Sequence, residues 1–154
     1  TLEDVLKKLK EFLEENEKAK YSLVIGTDSH EKLGSTKEKK QINLVTAIVI
    51  YRHGFGGRYF WRKKHLGNIH SLREKIYAET LVSLDFARLF VPLLTKSLNG
   101  SAPKYNLEIH VDVGERGDTR EMIKEVVGMV TGNGFVAKTK PDSFAASYVA
   151  DKHT

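Results

Sequence analysis

The sequence predicts an α/β domain: a mixed five-stranded sheet with helices on both faces. Three observations lead there. Strand-like runs at 21–28, 42–52 and 58–65 follow one another with no helical pattern between them, as in an antiparallel meander. Two further strand-like runs, at 106–114 and 135–140, alternate with helical periodicity, the rhythm of parallel strands joined by right-handed helical crossovers. The first and fourth runs each close on an aspartate, Asp28 in YSLVIGTDSH and Asp112 in NLEIHVDVG.

Composition sets the bounds. The chain has 154 residues, enough for one domain with a real core. Hydrophobic residues make up 40% and charged residues 29%, values of a globular chain rather than a disordered one. No apolar run is long enough for a membrane span. With no cysteine, disulfides and thiolate metal sites are excluded, and a reducing, cytoplasmic setting is expected. The net charge of +5 favours a polyanionic partner such as nucleic acid.

Taken in order, residues 2–20 form an amphipathic packing helix, with Leu2, Val5, Leu6, Leu9, Phe12 and Leu13 at three- and four-residue spacing. The first strand follows at 21–28. Polar residues 31–40 read as an exposed hairpin loop. Residues 42–52 are a β-branched strand, 53–57 a glycine-rich turn, and 58–65 an aromatic and basic strand. A long helix at 70–98 opens on Ser71-Leu72-Arg73-Glu74, which fits a capping box. Pro92 is a point where it would kink or end. After the fourth strand, Asp118 or Thr119 caps a helix at 120–131, stopped by Gly132-Asn133-Gly134. A short strand at 135–140 precedes a final helix at 142–152.

This order, α-βββ-α-β-α-β-α with aspartates closing the first and fourth strands, is the ribonuclease H-like layout. The likeness extends to IGTDS at 25–29, SLREKI at 71–76, IHVDVG at 109–114, MIKEVVGMV at 122–130 and KPDSFAASYVADKHT at 140–154. In that order and spacing these blocks resemble the ribonuclease H-like YkuK family. The resemblance implies a three-layer ribonuclease H-like fold over 1–154, sheet order 3-2-1-4-5, and a nuclease activity. Fold alone does not fix a reaction.

In such a sheet strands one, four and five run parallel and ligands collect at their carboxyl ends, where Asp28 and Asp112 lie on neighbouring strands. Adjacent carboxylates repel, and a divalent cation stabilises the pair; all-oxygen ligands suit Mg²⁺ or Mn²⁺. The competing reading is two independent turn aspartates. Further ligands must come from helices that start at the same edge. Asp142 stands in the first turn of the final helix, where it could equally be a cap; Asp151, about 13 Å further along, ranks second. On the long helix Glu79 lies on the buried stripe after Leu72 and Ile76, whereas Glu74 is already explained by the capping box; Glu79 is favoured and Glu74 stays open. His30 and His110 could shuttle a proton or only satisfy local hydrogen bonds.

For nucleic acid (RNA, DNA or hybrid), Arg58, Arg62, Lys63, Lys64 and His65 interleave with Tyr59, Phe60 and Trp61. Alternation puts Tyr59, Trp61 and Lys63 on one face and Arg58, Phe60, Arg62 and Lys64 on the other. The turn at 115–120, with Arg116 and Arg120, is the better candidate for a phosphate contact. The expected function is a metal-dependent nuclease with Asp28, Glu79, Asp112 and Asp142 as catalytic and metal-binding residues. The alternative is a non-catalytic nucleic-acid-binding module of the same fold. An actin-like phosphotransferase is disfavoured, because one domain has no second lobe to close over a nucleotide; a structural dimer would need an exposed apolar patch.

Overall fold

A computed structural model of the chain describes residues 1–16, 18–31, 41–54, 56–67, 69, 71–98, 105–114 and 119–140. Helix α1 spans Leu2–Glu14, strand β1 Tyr21–Glu31, β2 Ile42–Arg52, β3 Gly56–Leu66, helix α2 Leu72–Leu98, β4 Tyr105–His110, helix α3 Ile123–Gly132 and β5 Val136–Lys138. The strands form one mixed sheet in the order β3-β2-β1-β4-β5. Strands β1, β2 and β3 pair antiparallel, and β4 and β5 add in parallel beside β1. The α/β class and the strand order are those expected from the sequence.

Each local departure from the expected elements has a physical cause. Helix α1 ends at Glu14, not near residue 20, because the apolar spacing stops at Leu13 and Asn16 turns the chain. The Asn16 side-chain oxygen accepts from the Lys18 amide at 3.2 Å, an Asx-type turn that competes with the helix. Helix α2 runs through Pro92 without stopping, since Pro92 is exposed and water can reach the carbonyl that its ring leaves without an amide partner. The helix expected over 120–131 starts as a single 3₁₀ turn at Arg120–Met122. Thr119 makes no side-chain cap there, because its hydroxyl accepts from the Gly114 amide at 3.1 Å instead. The hairpin turn keeps its glycines for a conformational reason: Gly54 and Gly56 hold φ of 84° and 82°, in the left-handed region.

Strand alternation divides the burial. On one face, Leu23, Ile25, Ile48, Ile50 and Ile109 pack with Leu9, Phe12 and Leu13 of α1, Ile76, Leu84, Phe90 and Leu94 of α2, and Val126 and Val130 of α3. On the other, Val24, Ala47 and Val49 form a second buried cluster. A sheet buried on both faces is what a three-layer arrangement requires. The final helix expected at 142–152, and with it Asp142 and Asp151, lies outside the described residues, as does nearly all of the 31–40 loop. Among the described residues no helix is long and apolar enough to cross a membrane.

Candidate metal centre

Parallel pairing of β1 with β4 ends at Gly26 opposite His110. Two residues beyond each partner stand Asp28 and Asp112, so the register brings both aspartates level just past the end of the parallel pairing. Asp28 does not close its strand as expected, because β1 stays paired to β2 as far as Glu31. Beyond His110 the chain turns its hydrogen bonding toward the β5 side. Val111 donates to the Lys138 carbonyl at 2.9 Å, and Lys140 donates to the Val113 carbonyl at 2.8 Å. Asp112 is thereby held just past the strand rather than within it.

The third carboxylate comes from α2. Glu79 follows Ile76 on the face turned to the sheet and is only 3% exposed. It sits in a polar strip laid across the apolar layer. The Ser29 hydroxyl donates to Glu79 Oε2 at 2.6 Å, and one helical turn on, Ser83 meets Thr27 at 2.7 Å, which in turn meets Thr46 at 3.0 Å. Thr27 and Ser29 are two apart on β1, and Glu79 and Ser83 are four apart on α2, so strand and helix periods match across the contact. Asp28 Oδ1 accepts from the Ser29 amide at 2.9 Å.

One carboxylate oxygen from each of Asp28, Glu79 and Asp112 lies within 4.8 Å of the others. Burial is the chief reason that the Glu79 pKa is pushed up to about 8, and the charges of Asp28 and Asp112 add to it. The Ser29 hydrogen bond and Lys75 act against the shift. Burial also raises the Asp28 pKa, with Asp112 adding to the effect, against the Ser29 amide, His30 and Lys75. Among the described residues Glu79 Oε1 is buried with no hydrogen-bond partner. A buried, unsatisfied oxygen beside two like charges is costly. A hard divalent cation with oxygen ligands would satisfy the oxygen and offset the repulsion, so the donor set fits such an ion.

Other expected residues fall out as follows. Glu74 is exposed in the first turn of α2, where its amide donates to the Ser71 hydroxyl at 3.1 Å; it is not part of the cluster. His30 Nε2 lies 3.6 Å from Asp28 Oδ2, at the rim of the cluster. His110 instead faces Glu108 at 3.8 Å, a pairing along its own strand. On the edge strand β3 the register Asp28–Val45–Lys63 sets Lys63 level with Asp28, two strands away, about 10 Å at the usual strand spacing. Tyr59 and Trp61 share the Lys63 face and are 44% and 43% exposed. Arg58 and Arg62 take the opposite face, where their guanidinium groups lie over the rings of Phe12 and Phe86 at 4.9 and 5.5 Å. Arg120 is exposed at the start of the 3₁₀ turn, while Arg116 lies outside the described residues. Sequence reasoning missed Ser29 and Lys140. Ser29 carried a signal, since it immediately follows the aspartate that closes the apolar run; Lys140 carried none, because only the pairing of 111–113 with 138–140 brings it to Asp112.

The family model described as ribonuclease H-like matches residues 4–154. The uncharacterized protein YkuK of Bacillus subtilis (strain 168) is 35% identical over 163 residues, covering 100% of this chain and 91% of that protein. Among solved structures, the protease-reverse transcriptase of prototype foamy virus (native) superposes with a TM-score of 0.36 and 11% identity. That alignment covers 88% of this chain and 20% of the viral one, so the chain spans about a fifth of that protein.

Proposed function

Because this chain belongs to the ribonuclease H-like family, we propose that it is a metal-dependent nuclease that hydrolyses phosphodiester bonds of nucleic acid. The observation that carries this reading is the convergence of Asp28, Glu79 and Asp112 within 4.8 Å around an unsatisfied, buried carboxylate oxygen. These three residues would hold Mg²⁺ or Mn²⁺, with Asp142 as a further candidate ligand. Bound there, the cations would supply the Lewis acidity for hydrolysis and neutralise charge on the phosphoryl oxygens. The protein's own part is to fix the carboxylates: Ser29 holds Asp28 through its amide and Glu79 through its hydroxyl, so one residue sets the spacing of two ligands. The discriminating experiment is a cleavage assay on single-stranded, duplex and hybrid RNA and DNA with Mg²⁺, Mn²⁺ or EDTA. Cleavage that requires the cation supports the reading. Binding of the same substrates without cleavage under any cation leaves the non-catalytic module in its place.

The exposed side of β3 is the proposed nucleic-acid surface, with Lys63 for the phosphates and Tyr59 and Trp61 for the bases; Arg62, Lys64, Arg116 and Arg120 are further candidate contacts. Stacking on one aromatic side chain is worth about 1–3 kcal/mol per base. Trp61→Ala is therefore expected to weaken binding of a single-stranded oligonucleotide by about 5- to 150-fold. Lys63→Ala should weaken all sequences alike and lower the salt slope by about one. Fluorescence anisotropy at several salt concentrations in EDTA checks both. Unchanged affinity in both variants would remove β3 from the binding surface.

A further inference from the structure

Lys140 is a lysine in direct contact with the carboxylate cluster. Its Nζ lies 2.8 Å from Asp112 Oδ1, with the side chain 54% exposed. Two backbone hydrogen bonds, Val111 to Lys138 and Lys140 to Val113, fix the base of this side chain beside Asp112. Gly114 makes room for it: a Cβ at position 114 would come within 2.9 Å of Lys140 Cβ, too close for any side chain without moving the lysine. This accounts for the glycine in VDVG by close approach rather than by backbone conformation. The hydrogen bond to Asp112 is the chief cause that raises the Lys140 pKa, and Asp28 and Glu79 act in the same direction, so the ammonium feels all three carboxylates.

A divalent cation coordinated by Asp112 must share this carboxylate with the lysine or displace it. Two cations drawn to one carboxylate oppose each other, and a half-exposed ammonium is the one that can swing away at small cost. We propose that Lys140 is a built-in competitor of the metal: it neutralises Asp112 while the cluster is metal-free and sets the cation affinity by having to yield. The proposal rests on the reading of Asp112 as a metal ligand. The lysine would stay close to the phosphate that follows the metal into the site, so displacing it leaves no charge stranded.

The test is calorimetric titration of Mn²⁺, without nucleic acid, into the wild-type protein, Lys140→Met and Lys140→Arg. Methionine keeps the apolar stem and removes the charge; arginine keeps the charge. Lys140→Met is expected to bind Mn²⁺ about 3- to 10-fold more tightly than wild type, with Lys140→Arg close to wild type, a split that a merely structural role would not give. In EDTA, Lys140→Met should melt below wild type, and saturating Mn²⁺ should close that gap. Equal or weaker Mn²⁺ binding by Lys140→Met, with wild type binding normally, overturns the proposal and leaves the metal centre standing. Absence of Mn²⁺ binding in all three proteins overturns the metal centre and the proposal together.

Discussion

Asp28→Asn and Asp112→Asn are each expected to lose at least about 100-fold in Mn²⁺ affinity, and Asp28→Asn is expected to gain, not lose, stability in EDTA; Asp112→Asn also gives up the Lys140 ion pair, which offsets its gain. Removing only an outer hydrogen-bond partner of a metal ligand typically costs 10- to 100-fold. Replacing a charged ligand by a neutral isostere should exceed that range, and any cation-dependent cleavage should fall by about 1,000-fold or more. The opposite sign in EDTA follows from the carboxylates' proximity. Three acidic groups with oxygens within 4.8 Å repel when ionised, and Asp28 has a raised pKa partly because Asp112 is near. Asparagine at 28 keeps an oxygen for the Ser29 amide, so the local turn survives. Calorimetry with Mn²⁺ and thermal melting in EDTA, run on the same preparations, read the two effects separately. Lost binding together with a raised melting temperature excludes misfolding as the cause. Variants that keep wild-type Mn²⁺ affinity within about threefold would mean that these aspartates are turn residues and not ligands.

The same residues mark how far the sequence could be read. The mixed five-stranded sheet was legible because it depends on what the chain writes locally, namely strand runs, turn glycines such as Gly54 and alternating apolar periods, while its strand order came with the family resemblance. Asp28 and Asp112 were legible for a related reason, since a carboxylate that closes an apolar run stands out against its surroundings. Glu79 was half legible: its place on the buried stripe after Ile76 singled it out, but Glu74 could be set aside only once the helix was seen turned to the sheet. Ser29 was legible only as the residue after the aspartate, and Lys140 was not legible as part of the site at all. A serine beside an aspartate looks like turn chemistry until the strand and helix periods are superposed. Lys140 depends on hydrogen bonds between segments more than 20 residues apart, and long-range pairing leaves no mark in local spacing. The same limit applied at the ends of elements. Asn16 and Thr119 each spent a side-chain oxygen on a turn or a distant amide, and the helices shortened accordingly.

Glu79 makes the second large effect a matter of pH. Its pKa rises from 4.5 to about 8 in the folded protein, chiefly through burial. The folded state therefore holds the proton more tightly than the unfolded chain does. Stability is highest below pH 4.5 as far as this group is concerned, falls as pH climbs through the interval, and is lowest above about 8. At about 1.36 kcal/mol per pH unit the ceiling is near 5 kcal/mol. That ceiling already contains the opposing effects of the Ser29 hydrogen bond and Lys75; relaxation around the buried charge and water reaching it bring the expected effect to about 2–3 kcal/mol. Glu79→Gln removes the charge and keeps an acceptor for the Ser29 hydroxyl, so in EDTA it should melt about 5–10 °C above wild type at pH 8 and alongside it at pH 4. Saturating Mn²⁺ should reverse the order at pH 8, because only wild type can gain stability from a bound cation. Melting both proteins in EDTA from pH 4 to 9 traces the predicted fall directly. A wild-type profile that is flat from pH 5 to 8, with Glu79→Gln no more stable at the alkaline end, would mean that Glu79 ionises without penalty. The cluster would then have no need of a cation to settle its charge. A fall that Mn²⁺ abolishes would tie the instability of the metal-free protein to the residues proposed to hold the metal, so that the strain of burying Glu79 is the source of the affinity.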